Sequence, residues 1–255
     1  MVLPLAAFAG EAKGAKTAQA PKSQSSVNWE GQVLKATGAG APDMKASTPA
    51  QARLGAETAA KLDAFRNLLA QAKGLRVSAD KTLGDAMTSD EIKAKVEGVI
   101  RGYKVADKRY FSDNGIEVDV EVPLSALTEL VAPPPDSQHA QLNTEGQPKN
   151  TGLVVDARGL KVEKALSPRL LDGDGKPVYG IDTLSEDARK SKGVASYFAT
   201  LESAKKSLLV GDKPLVVKAA KVQGTDLVLS AEDLKRLSES NNTYLADGRV
   251  AIITN

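Results

Sequence analysis

The stretch GLVVDARGL, residues 152–160, decides the architecture of the second half of this chain. Leu153, Val154, Val155 and Ala157 crowd into a short run between Gly152 and Gly159, consistent with a strand buried on both faces or lying at the centre of a sheet. Asp156 and Arg158 are two residues apart and share a face if the strand continues. An ion pair at the strand end accounts for both. The functional alternative is a ligand site in which Arg158 receives an anion beside Asp156, and these two are the candidate ligand-binding residues of the chain.

Downstream, ALSPRLLDGDGKPVYG (165–180) reads as a second strand, a Gly-rich turn at 172–175 and a short return strand. A calcium loop opening at Asp172 would need an oxygen side chain, a glycine and a glutamate where this chain has Lys176, Pro177 and Thr183, so the DGDG run is read as a turn. In SEDARKSKGVASYFATLESAKKSL, Ser185 caps an acidic first turn, and Val194, Tyr197, Phe198, Leu201 and Ala204 fall at helical spacing with Gly193 as a point of interruption. KPLVVKAAKV and DLVLS are two strands joined at Gly224. Ser230 opens a short helix through Leu234 and Leu237, and GRVAIIT is a closing strand.

Upstream, VNWEGQVLKATGAGAP places Val27, Trp29, Gly31 and Val33 on alternate positions, which predicts one strand ended by GAGAP. Thr48 followed by Pro49 starts a helix of six to seven turns. It puts Leu54, Leu62, Phe65, Leu69 and Ala72 on a core stripe and stops at Gly74, its many alanines permitting close approach to a sheet. LRVSADKTLGDAM is a strand running into an extended excursion. TSDE at 88–91 is a capping box for a second helix ending near Gly102. In YKVADKRYFSDNGIEVDVEVPL, Ile116, Val118, Val120 and Val122 alternate with Glu117, Asp119 and Glu121 across an SDNG turn. Four turn residues would set Phe111 opposite Ile116, Val105 opposite Val122 and Lys108 opposite Asp119, pairing charges on the wet face.

The segments AQARLGAETAAKLDAFRNLLAQAKGLRVSADKTLGD, SDEIKAKVEGVIRGYKV and GIEVDVEVPL together resemble the family of small bacterial outer-membrane lipoproteins that includes the flagellar basal-disk protein FlgP, over residues 27–131. The resemblance implies a compact domain of helices packed against a small curved sheet, used in envelope-associated assemblies and not in catalysis. Those relatives are anchored through a lipidated cysteine, and this chain has none. The strand segments of residues 151–255 likewise resemble a carboxy-terminal module found beside this lipoprotein-like domain in uncharacterised envelope proteins.

MVLPLAAFAG reads as the apolar part of a secretory signal, with Ala7 and Ala9 flanking Phe8 and cleavage expected after Ala9; residues 11–26 read as a flexible leader. Export would then deliver a soluble protein, periplasmic or secreted and associated with the outer membrane. Residues 132–150, rich in Pro, Gln and Asn, read as a linker, and the only histidine, His139, sits in it as a solvent-exposed residue. Basic and acidic residues number 34 and 32, a net charge of +2 that leaves no field to recruit nucleic acid. Without cysteine, and with one histidine, the chain offers no conventional zinc set or Cys nucleophile. No segment is long and apolar enough to span a bilayer as a helix.

The expectation is an α/β (α+β) protein of two small domains, 27–131 and 151–255, each with helices packed on a mostly antiparallel or mixed sheet. It would be a non-enzymatic, exported cell-envelope structural or assembly protein with no catalytic, metal or cofactor residues. It would self-associate, or join envelope or flagellar-motor proteins, through its sheet edge and the excursion Ser78 to Met87. A periplasmic ligand-binding module built on Asp156 and Arg158 is the second reading, and a carboxylate-dependent hydrolase the third.

Overall fold

The computed structural model describes residues 25–131 and 142–254. The expected signal segment, nearly all of the leader, and His139 lie outside the described residues. The fold is α+β, with one principal sheet in each half and a separate two-stranded hairpin in the amino-terminal half.

In the amino-terminal half, β1 (Ser25–Asn28) and β2 (Val33–Gly40) form an antiparallel hairpin, not the single strand expected from VNWEGQV. The Asn28 Oδ1 accepts from Gly31 N at 2.8 Å, and Gln32 takes φ 53°, closing a turn over 29–32. A four-residue turn preserves the alternation of a continuous strand, so period alone could not reveal it. GAG is the far half of β2 and not its terminator. Strand β1 pairs only with Val33 to Ala36, and the unpaired edge beyond is completed by α1 (Pro49–Lys73). Asp63 Oδ2 accepts from Ala39 N at 3.0 Å, and Asn67 Nδ2 donates to Thr37 O at 2.9 Å.

Helix α1 begins where expected, Thr48 accepting from Gln51 N, and ends at Gly74. Its buried stripe is Ala56, Ala60, Ala64, Leu68 and Ala72, whereas Leu54 and Leu62 are 67% and 49% exposed. The reason is the strand beneath: a Cβ on Gly38 would lie 2.1 Å from Ala60 O, and one on Gly40 1.9 Å from Ala56 O. At that separation only alanine fits between helix and sheet. Phe65 and Leu69, on the flank, are partly buried in the same core.

The expected excursion is instead a small hairpin, β3 (Arg76–Ser78) and β4 (Lys81–Thr82), followed by the one-turn α2 (Leu83–Ala86), with Leu83 and Met87 buried. Helix α3 (Asp90–Arg101) follows with Ser89 at its N-cap but without a side-chain cap. The expected TSDE box does not form because Thr88 Oγ1 bonds back to Asp85 O. The capping box lies earlier, where Thr82 N donates to Asp85 Oδ2 at 2.8 Å and Asp85 N to Thr82 Oγ1 at 3.1 Å. Strands β5 (Lys104–Tyr110) and β6 (Ile116–Pro123) form the expected hairpin, and α4 (Leu124–Val131) follows. Their register differs from expectation: Tyr110 faces Ile116 and, after a bulge between Val105 and Asp107, Val105 faces Val120. Five residues, 111–115, make the turn, with Asn114 at φ 65°. The sheet order is β1-β2-β6-β5.

The carboxy-terminal half is a seven-stranded mixed sheet. Its elements are β7 (Leu153–Asp156), β8 (Leu170–Leu171), β9 (Pro177–Tyr179), α5 (Glu186–Ser191), β10 (Ser196–Phe198), α6 (Leu201–Lys206), β11 (Leu215–Gln223), β12 (Asp226–Leu229), α7 (Ala231–Ser238) and β13 (Val250–Ile253), in sheet order β10-β13-β7-β11-β12-β8-β9. Strands β10, β13, β7 and β11 run parallel. Strand β7 is interior and covered on both faces: Leu153 and Val155 enter the main core, while Val154 packs with Phe198, Ala204, Val210, Ala251 and Ile253 on the reverse side under α6. The helix expected from Ser185 to Ala204 is two short helices separated by β10. Gly193 takes φ +73°, and Tyr197 and Phe198 alternate in a strand whose continuous burial mimics a helical stripe.

The halves interlock. Trp29 O, in the β1–β2 turn, accepts from Tyr197 N at 3.1 Å, and the two rings meet edge-on with centroids 5.5 Å apart. Leu166, from the β7–β8 connection, is 3% exposed and belongs to the amino-terminal core. It is pinned by Leu166 N to Arg76 O at 2.8 Å and Ser167 N to Val77 O at 3.1 Å. Ser125 Oγ on α4 donates to Lys190 O on α5 at 3.0 Å.

Candidate functional site

Asp156 ends β7 at the carboxyl edge of the parallel strands, the side on which open α/β sheets usually bind ligands. Arg158 follows in the loop and closes on it: Nε to Oδ1 at 2.9 Å, Nη2 to Oδ2 at 2.7 Å, and Arg158 N to Oδ1 at 3.1 Å. This two-pronged bond, assisted by the backbone hydrogen bond and by Lys218 on β11, holds the Asp156 carboxyl below the usual carboxylate range. The two predicted residues are therefore brought together, chiefly with each other. Asp156 takes the Nε–Nη2 edge of the guanidinium, so an anion reaching Arg158 would meet Nη1 and the outer Nη2 hydrogen, beside a charge that Asp156 already offsets.

The acidic row of β6 is engaged in the same way. Glu121 accepts from Lys35 at 2.6 Å, Asp119 from Thr37 Oγ1 at 2.6 Å and from Arg109, and Glu117 from Arg109 Nε at 3.0 Å. Arg109, not Lys108, answers Asp119, because the register places Lys108 opposite Val118 on the helix side. There Lys108 reaches Glu57 of α1 at 2.6 Å, and Lys61 completes the group at 2.8 Å. The hydrogen bond from Lys108, then that from Lys61, lowers the Glu57 carboxyl from 4.5 to about 2. A depressed folded value contributes stability above the unfolded value, lost as pH falls through the folded one. The melting temperature is therefore expected to fall between about pH 4.5 and 2. That slope should be shallower in Lys108→Met, as a pH series of thermal melts on both proteins would read.

The DGDG turn is built by its own first carboxylate. Asp172 Oδ1 accepts from Asp174 N at 3.0 Å and Lys176 N at 2.8 Å, and Gly175 supplies φ +84°. Two features escaped sequence reading. Asp226, opening β12 and almost fully buried, accepts from Arg169 N, Nε and Nη2 at 3.0, 2.9 and 2.6 Å. The sequence signal was only an Asp at a strand start, with its partner 57 residues away. The second is a cleft of about 370 Å³ between the β8–β9 hairpin and α7, where Val178, Leu234, Leu237 and Leu245 form an apolar floor and Lys176 and Lys235 stand beside it. Its walls join segments some sixty residues apart, so no local pattern could mark it.

No curated protein sequence matches the chain. Residues 152–255, the half that carries β7, the Asp156–Arg158 pair and the cleft, match a family model described as the second domain of Treponema pallidum Tp0624.

Proposed function

We propose that this protein is a non-enzymatic, exported structural or assembly component of the cell envelope, periplasmic or outer-membrane associated. The observation that carries the reading is the junction between the halves. Trp29 packs with both cores and Leu166 is donated by one half to the other, making a locked block in place of the hinged cleft with which two-domain binding proteins close on a ligand. The ion pairs of β6 and of Asp156 with Arg158 serve the same rigidity.

The contact surface in this reading is not the one expected from sequence. In the segment 78–87, Leu83 and Met87 enter the core and Ala79 lies against Gly224, which leaves the small polar stretch of Asp80, Lys81 and Asp85 as its exposed surface. The β5 edge is bulged and bears Lys104, Asp107, Lys108 and Arg109, features that discourage strand addition. Exposed apolar residues instead gather where Arg53 Nη2 bonds Asn114 Oδ1 and draws the start of α1 to the β5–β6 turn: Leu54, Tyr110 and Phe111. Light scattering of the full chain over a concentration series from about micromolar upward should show mass rising above the 26.7 kDa of one chain. Tyr110→Ser with Phe111→Ser should suppress that growth. A single-chain mass at every concentration, or recovery of the protein from the cytoplasm with Met1 still at its amino terminus, would overturn the proposal.

A further inference from the structure

We infer that the cleft between the β8–β9 hairpin and α7 binds an amphipathic carboxylate, an aliphatic body carrying one anionic head. Its volume of about 370 Å³ lies within the range of small-molecule sites. Its floor is the surface of the main core itself, Leu237 and Leu245 being buried and Val178 and Leu234 partly so. A floor of this kind selects for apolar area.

The head group follows by elimination among the polar atoms around the floor. Asp172 Oδ1 is turned into its own loop by two backbone N–H groups, which leaves Oδ2 as the one anionic oxygen of the lining. Ser238 Oγ donates to Lys235 O, and Ser238 O accepts from Asn143 Nδ2. Asn242 is committed at both ends, Oδ1 accepting from Asn143 N and Nδ2 donating to Leu237 O. Among the charged groups of the lining, two ammonium groups outnumber the one carboxylate. Lys235 has only an exposed ion pair with Glu239 at 3.7 Å, and Lys176 has no ion pair among the described residues. Two cations at the rim of an apolar floor suit one anion attached to a hydrocarbon, since the charged contacts stay partly hydrated while the body leaves water. The site is separate from Asp156 and Arg158 and does not depend on the assembly role, so a strictly monomeric protein would bind equally well.

The test is an amide-resolved NMR titration of the full chain with octanoate, and with octanol and octylammonium, which share the tail and change the head. Octanoate should saturate, with shifts concentrated in residues 172–178 and 231–245. Octanol should bind about tenfold more weakly and octylammonium more weakly still. Lys176→Glu with Lys235→Glu should weaken octanoate by at least about tenfold while leaving the folded spectrum intact, as both side chains reach solvent. Leu234→Ser should weaken octanoate and octanol together. Equal affinity for octanoate and octanol, undiminished affinity in the double lysine variant, or the absence of saturable shifts at these residues would each overturn the assignment.

Discussion

Gly38→Ala is expected to unfold the amino-terminal half, although alanine is ordinarily no worse than glycine in a strand. The added methyl would stand 2.1 Å from Ala60 O, 2.2 Å from Ala64 N and 2.6 Å from Ala64 Cα, all backbone atoms of α1 that no rotamer change can move. Relief requires lifting a 25-residue helix from β2. That would open gaps along Ala56, Ala60 and Ala64 and break the bonds from Asp63 and Asn67 to the strand edge. Overpacking against fixed backbone costs about 3 kcal/mol or more, a large part of the 5–15 kcal/mol that holds a typical domain folded. Gly55→Ala is the control. It lies on the same helix with nothing within 4 Å of its Cβ, and should raise stability by about 0.5–1 kcal/mol. Urea midpoints of the two variants should therefore move in opposite directions. A Gly38→Ala protein as stable as the parent would mean that α1 does not rest on β2 at backbone contact.

That contact also explains which parts of the fold could be read in advance. The existence and ends of α1 were legible from Thr48, Pro49 and Gly74, because caps are local chemistry. Its facing was not. A stripe chosen by side-chain size favours Leu54 and Leu62, whereas the glycines across the interface turn the alanine line inward, and nothing within the helix states that. Strand β7 was legible because burial on both faces leaves an unbroken apolar run. The same continuity in Val194 to Phe198 misled, since a fully buried strand and a buried helical turn have similar composition. The β5–β6 hairpin was legible from alternation, but its register was set by a turn of five residues instead of four and by the bulge between Val105 and Asp107, neither of which residue type fixes. The Asp156–Arg158 pair was legible because its members are neighbours in sequence. Asp226 with Arg169, and the cleft between Lys176 and Lys235, depend on long-range pairing of strands and so had no local signal.

Leu166→Asp is expected to divide one cooperative unfolding transition into two. Leu166 is held by its backbone bond to Arg76 O and seals the amino-terminal core from the side of the other half. An ionised carboxylate cannot remain there without a partner, and its burial costs several kcal/mol, enough to drive the 163–168 connection out of the core. Withdrawal also gives up the Ser167 to Val77 bond and the Arg76–Glu163 ion pair at 2.7 Å. Trp29 would then be left as the main apolar tie between the halves. Since it is the only tryptophan, its emission reports that junction and should shift to the red with the earlier transition, while the far-ultraviolet signal of the carboxy-terminal sheet persists to the later one. Leu166→Ala, which removes packing without introducing charge, should lower stability by about 2–4 kcal/mol and keep a single transition. If Leu166→Asp instead melts in one step with unchanged Trp29 emission, the cores do not communicate through this residue. The rigid block would then have to be held elsewhere along the seam, at Ser125 with Lys190 or at Ala79 against Gly224.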